Sequence, residues 1–219
     1  KKLQNDPKWV LENYPILKDL DAESATLGEY FWQDLFVAKE IIKKNPKRHI
    51  DVGSRVDGFI AHLACVRKVE VFDIRPLSFI IENVKFTQWD VTKPNPELNG
   101  VSDCVSCLHS LEHIGLGRYG DKLDPDGWKK GLSSLTNLLT PSGCLWISVP
   151  IGIERVEFNA NRVFDPSTII NEGNDIGIKL DKFFYLTKKG FKESAVVQDD
   201  VIKLSNQKYG LGIFLFSKK

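Results

Sequence analysis

Apolar residues recur at helical spacing in several stretches of the chain, and each of these stretches predicts a helix. Residues 29–44 show the pattern most clearly, and an Asn-Pro pair ends this predicted helix. Residues 127–139 predict a second helix, and residues 183–190 predict another. Residues 1–28 have a mixed composition without such spacing. We therefore expect an irregular start to the chain, followed by an amphipathic helix.

Runs of β-branched and aromatic residues lie between the helical stretches, and they predict strands. The first five predicted strands are one that runs through Asp51 and those at residues 69–73, 86–90, 102–108 and 145–150. Residues 191–197 and 211–216 predict a closing hairpin near the end of the chain. Because helical stretches alternate with strands, the pattern predicts an α/β fold around a largely parallel sheet.

An acidic residue follows or ends each of the first three strands, namely Asp51, Asp73 and Asp90. The carboxyl ends of parallel strands meet at one edge of a sheet, and open α/β sheets bind their ligands there. Gly53 and Gly58 lie just after the first strand, where residues without a side chain let the backbone turn sharply toward a ligand. Asp73 comes about twenty residues after this turn, the distance at which an acid meets ribose hydroxyls. The sequence therefore predicts a nucleotide-binding edge.

This order of motifs resembles the class I, Rossmann-like methyltransferases that use S-adenosylmethionine, over roughly residues 48–219. A narrower resemblance is to a family catalogued as a domain of unknown function, first named from Caenorhabditis and also bacterial. The motifs that carry it are DVGSRVDG at 51–58, DIRP at 73–76, SLEHIGLGRYGD at 110–121 and VEFNANR at 156–162. The resemblance implies a mostly parallel seven-stranded sheet with helices on both faces and a C-terminal antiparallel hairpin.

The resemblance also implies a division of the chain. Residues 47–219 are expected to form a single methyltransferase-like domain, and residues 1–46 an N-terminal helical segment that caps the cofactor edge. Within that segment, Tyr30 and Trp32 either contact a ligand or belong to the core, and we favour the core.

The resemblance further implies which residues hold S-adenosylmethionine. Asp51 and its glycine turn would face the methionine part, and Asp73 would accept hydrogen bonds from both ribose hydroxyls. Asp90 would accept one from the adenine amino group, or would be a solvated residue at a strand end. Arg55 and Arg75 would contact the cofactor or, alternatively, would be surface arginines without such a contact. The expected set is Asp51, Gly53, Ser54, Arg55, Gly58, Asp73, Ile74, Arg75, Asp90, Val91 and Leu108.

The strongest candidate for a reactive cluster is formed by His109, Glu112 and His113. These side chains would share one face if a helix began there. One hypothesis is acid–base catalysis, in which an imidazole takes a proton from an acceptor hydroxyl. A second is that Glu112 and His113 only brace the loop. A third is a divalent metal site, because two imidazoles and a carboxylate are typical ligands. We favour catalysis, and the metal site least.

Two polar stretches near these residues predict contacts with a substrate. The first is the glycine-rich loop at 115–121, which would display Arg118 and Tyr119. The second follows the fifth strand and contains Asn159 and Arg162, whose guanidinium could grip an anionic acceptor. Either stretch could equally be ordinary loop chemistry.

Composition narrows the choice of partners. The 219-residue chain has 30 basic and 29 acidic residues, so its near-neutral charge predicts neither a nucleic-acid partner nor an anionic membrane. With no apolar run of about 18 residues, a cytoplasmic location is the expectation. The four cysteines are expected to be reduced and mostly buried.

These observations predict an S-adenosylmethionine-dependent enzyme that methylates a hydroxyl of a small molecule, with a sugar as the suggested class. Two alternatives remain open. The first is a non-catalytic binding or scaffold protein with the same fold, because the glycine turn is sparser than usual. The second, less favoured, is an NAD(P)-dependent oxidoreductase, which the closing hairpin disfavours.

Overall fold

The computed structural model describes residues 27–219, and these residues form an α/β fold with ten strands and five α-helices. The helices are α1 (Glu29–Lys44), α2 (Ala61–Ala64), α3 (Gly127–Leu138), α4 (Pro166–Asp175) and α5 (Val197–Ser205). The strands are β1 (His49–Val52), β2 (Val69–Asp73), β3 (Val84–Gln88), β4 (Ser102–Leu108), β5 (Leu139–Ile151), β6 (Arg155–Glu157), β7 (Asn161–Val163), β8 (Ile178–Thr187), β9 (Gly190–Glu193) and β10 (Gly210–Lys218).

Eight of these strands form the central sheet, in the order β3-β2-β1-β4-β5-β10-β8-β9. The first five are parallel to one another, and β10 is inserted antiparallel between β5 and β8. The predicted α/β class and the mostly parallel sheet are therefore confirmed. The predicted count of seven strands is low by one, because β9 adds an antiparallel edge beside β8. Strands β6 and β7 form a separate hairpin.

The C-terminal part differs most from the sequence-based prediction. The predicted helix at 183–190 is wrong, since most of this stretch belongs to β8, which pairs with β10 and β9. The predicted strand at 191–197 ends at Glu193, and α5 then begins at Val197. The predicted hairpin partner of β10 is therefore also wrong. Long-range pairing with β10 decides the conformation of β8, and local spacing cannot detect that pairing.

Two apolar cores cover the two faces of the sheet. One joins α3, α4 and α5 to the sheet, and it includes Leu132, Ile169 and Phe214. The other lies beneath α1 and the turn that follows β1, and it includes Ile41 and Phe59. The helices predicted at 29–44 and 127–139 are present within one residue of those bounds and cover opposite faces. Helices on both faces leave the strand ends as the place for a ligand.

The described residues bear on two of the compositional expectations. Cys65 is exposed, whereas Cys104, Cys107 and Cys144 are buried, and all four are free thiols. No helix within residues 27–219 is long and apolar enough to cross a membrane. The predicted irregular start at residues 1–28 and the predicted N-terminal segment at 1–46 both include residues 1–26, which lie outside the described residues.

Candidate functional site

A cavity of about 350 Å³ opens at the carboxyl ends of β1 to β4, at the edge of the sheet where the sequence predicts a ligand. It falls within the size range of small-molecule sites. The predicted residues that line it are Gly53, Arg55, Asp73, Ile74, Arg75, Asp90, Val91, His109, His113, Arg118 and Tyr119. The predicted residues outside its lining are Asp51, Ser54, Gly58, Leu108, Glu112, Asn159 and Arg162.

The turn after β1 contains Gly53 and Gly58, and a side chain would meet a different neighbour at each position. Gly53 has a φ of +76°, and a Cβ there would collide with the hydroxyl of Ser110. The Ser110 side chain therefore occupies the space that a side chain at position 53 would need. At Gly58 a Cβ would instead collide with the carboxylate of Asp34, on α1. A larger residue at position 58 would therefore require the Asp34 side chain to move.

Asp51 lies beneath the cavity and is completely buried. Its carboxylate accepts hydrogen bonds from the hydroxyls of Ser54 and Ser106, both at 2.6 Å, and from the Ser54 amide at 3.1 Å. The Ser54 hydroxyl in turn accepts the amide of Leu108 at 3.0 Å. Burial raises the pKa of Asp51 to about 7. These bonds tie the end of β1 to the end of β4, so Asp51, Ser54 and Leu108 shape the cavity floor.

Asp73 stands at the end of β2 with its carboxylate already engaged. It accepts hydrogen bonds from the Arg75 amide at 2.8 Å and from the Arg75 guanidinium at 3.1 and 2.8 Å. The guanidinium also lies 4.4 Å from the centre of the Tyr119 ring. Each carboxylate oxygen has two lone pairs. One lone pair therefore remains free, and both hydroxyls of a diol can bind only if they displace the exposed guanidinium of Arg75.

Asp90 follows β3 and forms a tight local turn. One carboxylate oxygen accepts the Thr92 hydroxyl at 2.7 Å and its amide at 3.0 Å, while Lys93 lies 3.1 Å from the other. Although burial raises the pKa of this carboxyl, these hydrogen bonds outweigh that effect and hold it below its usual range. Asp90 is therefore an ionised acceptor at the cavity, beside the buried Val91.

His109 and Glu112 form a buried dyad. Nδ1 of His109 lies 2.8 Å from the Glu112 carboxylate, and both side chains are at least nine-tenths buried. Within residues 27–219, His109 Nε2 and the second Glu112 oxygen have no hydrogen-bond partner. Burial lowers the pKa of His109, but the Glu112 carboxylate more than offsets this, so the pKa is raised. When the ring is neutral with its proton on Nδ1, Nε2 presents a free lone pair.

The local backbone brings this cluster together in a way that differs from the predicted helix. His109 has a left-handed φ of 49°, and only a three-residue 3₁₀ turn follows, at Leu111–His113. Its amide is held by the carbonyl and the hydroxyl of Ser148, both at 3.0 Å. The cluster thus depends on β5 as much as on its own sequence spacing.

His113 lies beside the dyad but makes no hydrogen bond to it. Its Nδ1 lies 2.6 Å from the carbonyl of Ala160, in the β6–β7 hairpin, and 3.7 Å separate its Nε2 from the Glu112 carboxylate. Burial lowers the pKa of His113, so the ring is predominantly neutral at pH 7. Among the described residues, no group of three or more His, Cys, Asp or Glu side chains is arranged to hold a metal ion.

Three residues beside the dyad were not predicted as site residues. Glu29, in the first turn of α1, lies 3.7 Å from His109 Nε2 and accepts the hydroxyl of Tyr209 at 2.8 Å. Tyr30 lines the cavity, and its ring centre lies 4.7 Å from that of His109. The favoured core assignment is therefore wrong for Tyr30, while Trp32 is half-buried and outside the cavity lining. No spacing pattern connects residues this far apart in the sequence.

The glycine-rich loop is shaped by one carboxylate rather than left free. Asp121 accepts the amides of Gly115 at 2.7 Å, Gly117 at 3.3 Å and Tyr119 at 3.2 Å. The Tyr119 ring in this loop lies near two guanidiniums, that of Arg75 at 4.4 Å and that of Arg118 at 5.1 Å from the ring centre. The loop therefore presents an ordered aromatic and cationic wall to the cavity.

Arg162 and Asn159 do not reach the cavity. Arg162 is 6% exposed, and its guanidinium donates to the carbonyls of Ile114 at 2.7 Å and of Glu112 and Pro125 at 3.3 Å. The predicted grip on an anionic acceptor is therefore not supported, because these carbonyls occupy the guanidinium. Asn159 is exposed near the hairpin tip.

We expect Arg162→Met to lower the free energy of unfolding by about 2–3 kcal/mol, because it leaves buried carbonyls without donors. Chemical denaturation followed by circular dichroism measures this change. Arg155→Met is the matched control in the same hairpin, since that guanidinium binds carbonyls at exposed positions. We expect Arg155→Met to lower the free energy of unfolding by less than about 1 kcal/mol. Equal losses in the two variants would contradict the bracing role of Arg162.

Comparisons with known proteins agree on the fold. Residues 79–170 match the family described as "Caenorhabditis protein of unknown function, DUF268". No curated protein matches the chain by sequence. Among solved structures, the 4+2 cyclase SpnF is similar at 12% identity and a TM-score of 0.61, over 85% of this chain and 80% of that one.

Two similar structures are methyltransferases. The Burkholderia thailandensis 1,6-didemethyltoxoflavin-N1-methyltransferase, which has S-adenosylhomocysteine bound, shares 14% identity and a TM-score of 0.55, over 85% of this chain and 78% of that one. A S-adenosylmethionine-dependent methyltransferase from Clostridium acetobutylicum shares 11% identity and a TM-score of 0.57, over 87% and 92%. At these identities the likeness concerns the fold. The chain thus has the Rossmann-like fold of the class I methyltransferases and is related, over residues 79–170, to the DUF268 family.

Proposed function

We propose that the cavity binds S-adenosylmethionine. The observation that carries this proposal is that one cavity is lined by Asp73, Asp90, Gly53 and His109, whose Nε2 has no hydrogen-bond partner within residues 27–219. Asp73 would accept the ribose hydroxyls and Asp90 the adenine amino group, with Val91 and Ile74 as apolar contacts. The two carboxylates suit a nucleoside in one part of the cavity, and His109 suits a reacting group in another part.

The N-terminal segment belongs to the same proposal. Of the predicted segment at residues 1–46, the described part at 27–46 would cap the cofactor edge of a domain at 47–219, and α1 supports this because Glu29 and Tyr30 reach the cavity region. Arg55 also lines the cavity, and its guanidinium lies 5.5 Å from the Tyr30 ring centre. It pairs with the exposed Asp57 at 2.7 Å, a weak partner that a cofactor carboxylate can replace.

The reaction we propose is methylation of a hydroxyl on a small acceptor. The cofactor supplies an activated methyl group whose bond to sulfur breaks with release of a neutral thioether. The protein would align the acceptor oxygen, exclude water and take the hydroxyl proton on His109 Nε2 as the new carbon–oxygen bond forms. Glu112 would orient the ring and stabilise the resulting imidazolium, while Tyr30 flanks it. His113 would act as a positioning residue through the hairpin carbonyl of Ala160.

A sugar is the acceptor class to test first. Arg118 and Tyr119 offer a guanidinium and a phenol at the cavity, which suit hydroxyl groups and aromatic stacking against a ring. The chain as a whole is nearly neutral, which disfavours a nucleic-acid acceptor. A methylation assay across acceptor classes that yields only peptide or nucleic-acid products would refute the sugar proposal.

A non-catalytic binding protein is the second candidate. It is favoured by the engagement of the Asp73 carboxylate by Arg75, which competes with ribose hydroxyls. The similar structure of the cyclase SpnF, whose stated activity is not methyl transfer, supports only the point that this fold does not by itself imply methylation. An NAD(P)-dependent oxidoreductase is less favoured, because the antiparallel β10 replaces the parallel continuation of a dinucleotide fold.

Calorimetric titration tests the cofactor. We expect S-adenosylmethionine and S-adenosylhomocysteine to bind with micromolar affinity, and NAD and NADP to bind far more weakly. An acceptor screen with radiolabelled methyl donor then distinguishes an enzyme from a binding protein. Absence of binding by both sulfur nucleotides would rule out the proposal, and tighter binding of NAD or NADP would favour the oxidoreductase.

The pH dependence of methyl transfer should depend on the pKa of His109 in its dyad with Glu112. Only neutral His109 can accept a proton, so the rate should rise with pH through the His109 pKa, which lies above its ordinary value of 6.5. Glu112→Gln removes the charge that raises this pKa. We therefore expect its rising limb to move to lower pH, measured as kcat against pH. An unmoved limb in Glu112→Gln would show that another group controls the profile.

A further inference from the structure

Three arginines line the cavity, and one of them has no carboxylate partner in the described part of the chain. Arg55 and Arg75 each pair with an aspartate, at 2.7 and 2.8 Å. Arg118 forms no ion pair with any acidic residue that the structure describes. Asp121, in the same loop, accepts three backbone amides instead. The positive charge of Arg118 is therefore available to a ligand.

One nitrogen of the Arg118 guanidinium is held by the β6–β7 hairpin. Nη1 donates to the carbonyl of Ala160 at 2.8 Å and lies 3.3 Å from Nδ1 of His113. The guanidinium carbon lies 5.1 Å from the centre of the Tyr119 ring. Because His113 and Tyr119 both line the cavity, these contacts hold the guanidinium at the cavity wall. A side chain that is already held loses less conformational entropy when it binds a ligand.

The other edge of this guanidinium, formed by Nε and Nη2, makes no hydrogen bond to residues 27–219. Such an edge presents two parallel N–H groups, which match the two oxygens of a carboxylate. In Arg48, Arg55 and Arg75 the same edge binds a carboxylate, at N–O distances of 2.6–3.1 Å. Arg118 is an exposed residue, so a ligand in the cavity can reach this edge.

We propose that the acceptor is a sugar acid whose carboxylate binds the Nε and Nη2 edge of Arg118. This inference rests on the proposed function, since it specifies the acceptor of the same cavity. Contacts run along one wall from Arg118 to His113 and, through Glu112, to His109. Binding of the carboxylate at one end of this wall would orient a hydroxyl of the same molecule toward the other end.

A carboxylate fits this wall better than a phosphate monoester does. One guanidinium without an acidic partner balances one negative charge, and a carboxylate carries one. A phosphate monoester carries between about 1.5 and 2 negative charges at pH 7. Its additional charge would be repelled by the carboxylates of Asp121, in the same loop, and of Glu112, beside His113.

Nuclear magnetic resonance of the full chain labelled with ¹⁵N tests the proposal. D-Glucuronate, D-galacturonate and D-mannuronate are each titrated in parallel with the neutral amide of the same acid and with the corresponding hexose 6-phosphate. The backbone amide of Tyr119 reports the affinity, and the Nε–H signal of Arg118 reports direct contact. We expect at least one acid to shift both signals saturably and to bind about tenfold or more tightly than its amide.

Three variants separate a specific contact from general attraction. Arg118→Gln should remove the preference for the acid over its amide. Arg118→Lys keeps the charge but lacks the planar pair of donors, so it should retain only part of the preference. Arg155→Gln is the matched control, because Arg155 belongs to the β6–β7 hairpin and lies outside the cavity lining. We expect it to keep the full preference.

Three results would overturn the sugar-acid proposal: no acid preferred over its amide, an equal loss of preference in Arg118→Gln and Arg155→Gln, or tighter binding of a hexose phosphate. Each titration is repeated with S-adenosylhomocysteine present, so that the cofactor is tested separately. Cofactor binding without a preference for any acid would refute this inference alone. A preference for an acid without cofactor binding would keep the carboxylate site and refute the proposed methyl transfer.

Discussion

The variant His109→Asn is expected to lower kcat for methyl transfer by about 10²–10⁴-fold, the usual contribution of a positioned acid–base group. Asparagine tolerates the left-handed backbone at this position, where φ is 49°, so the change should remove the proton acceptor without straining the chain. Affinity for S-adenosylhomocysteine should stay nearly the same, because the proposed nucleoside contacts lie at the ends of β2 and β3. Single-turnover assays and calorimetry measure the two effects independently.

His62→Asn is the matched control for this experiment, since His62 is exposed on α2 and outside the cavity lining. We expect it to retain full activity. A His109→Asn variant that remains folded and keeps its rate within about threefold would exclude His109 as the base. If both kcat and cofactor affinity fell together, His109 would instead be a structural residue of the cavity.

The second large effect is expected from Asp73→Ala, which should weaken binding of S-adenosylhomocysteine by about 100-fold. Hydrogen bonds to a charged acceptor contribute about 1.5–3 kcal/mol each, and two ribose hydroxyls would lose this acceptor. The carboxylate side chain is only 15% exposed, so its contacts with a ligand are poorly replaced by water. Calorimetric titration measures the affinity directly, and thermal unfolding checks that the variant is folded.

Asp57→Ala provides the control for a lost negative charge near the glycine turn. Asp57 is exposed and pairs only with Arg55 among its described ionic contacts, so we expect at most a small change in affinity. Asp73→Asn should retain part of the binding, because an amide oxygen still accepts a hydrogen bond. Unchanged affinity in Asp73→Ala would place the ribose elsewhere and would remove the main support for the nucleoside site.

The cavity edge could be predicted from the sequence because the parallel sheet gives strand ends a common location. Asp73 and Asp90 each follow an apolar run, and the structure brings both to one cavity with Gly53. The chemical dyad could also be anticipated, since His109 and Glu112 lie within one short turn. Parallel strand order was sufficient to predict the common edge, and the short sequence spacing was sufficient to predict that His109 and Glu112 lie close together.

Other assignments failed because they depend on contacts between distant segments. Gly58 packs against the Asp34 side chain of α1, and Arg162 is occupied by carbonyls of a different loop. Glu29 and Tyr209 meet beside His109 although the chain separates them by 180 residues. No periodic pattern or motif encodes such a meeting, which follows only from the packing of α1 and β10 around the same sheet edge.

The sequence alone therefore determined the α/β class, the acidic strand ends and the histidine–glutamate pair, since periodicity and local spacing are properties of the chain itself. Tertiary structure alone decided that β8 is a strand, that Asp51 is buried beneath the cavity, and that Tyr30 faces it. It also decided that the Ala160 carbonyl holds one end of the Arg118 guanidinium. The physical reason is that burial, strand pairing and contacts between loops are set by which segments pack together.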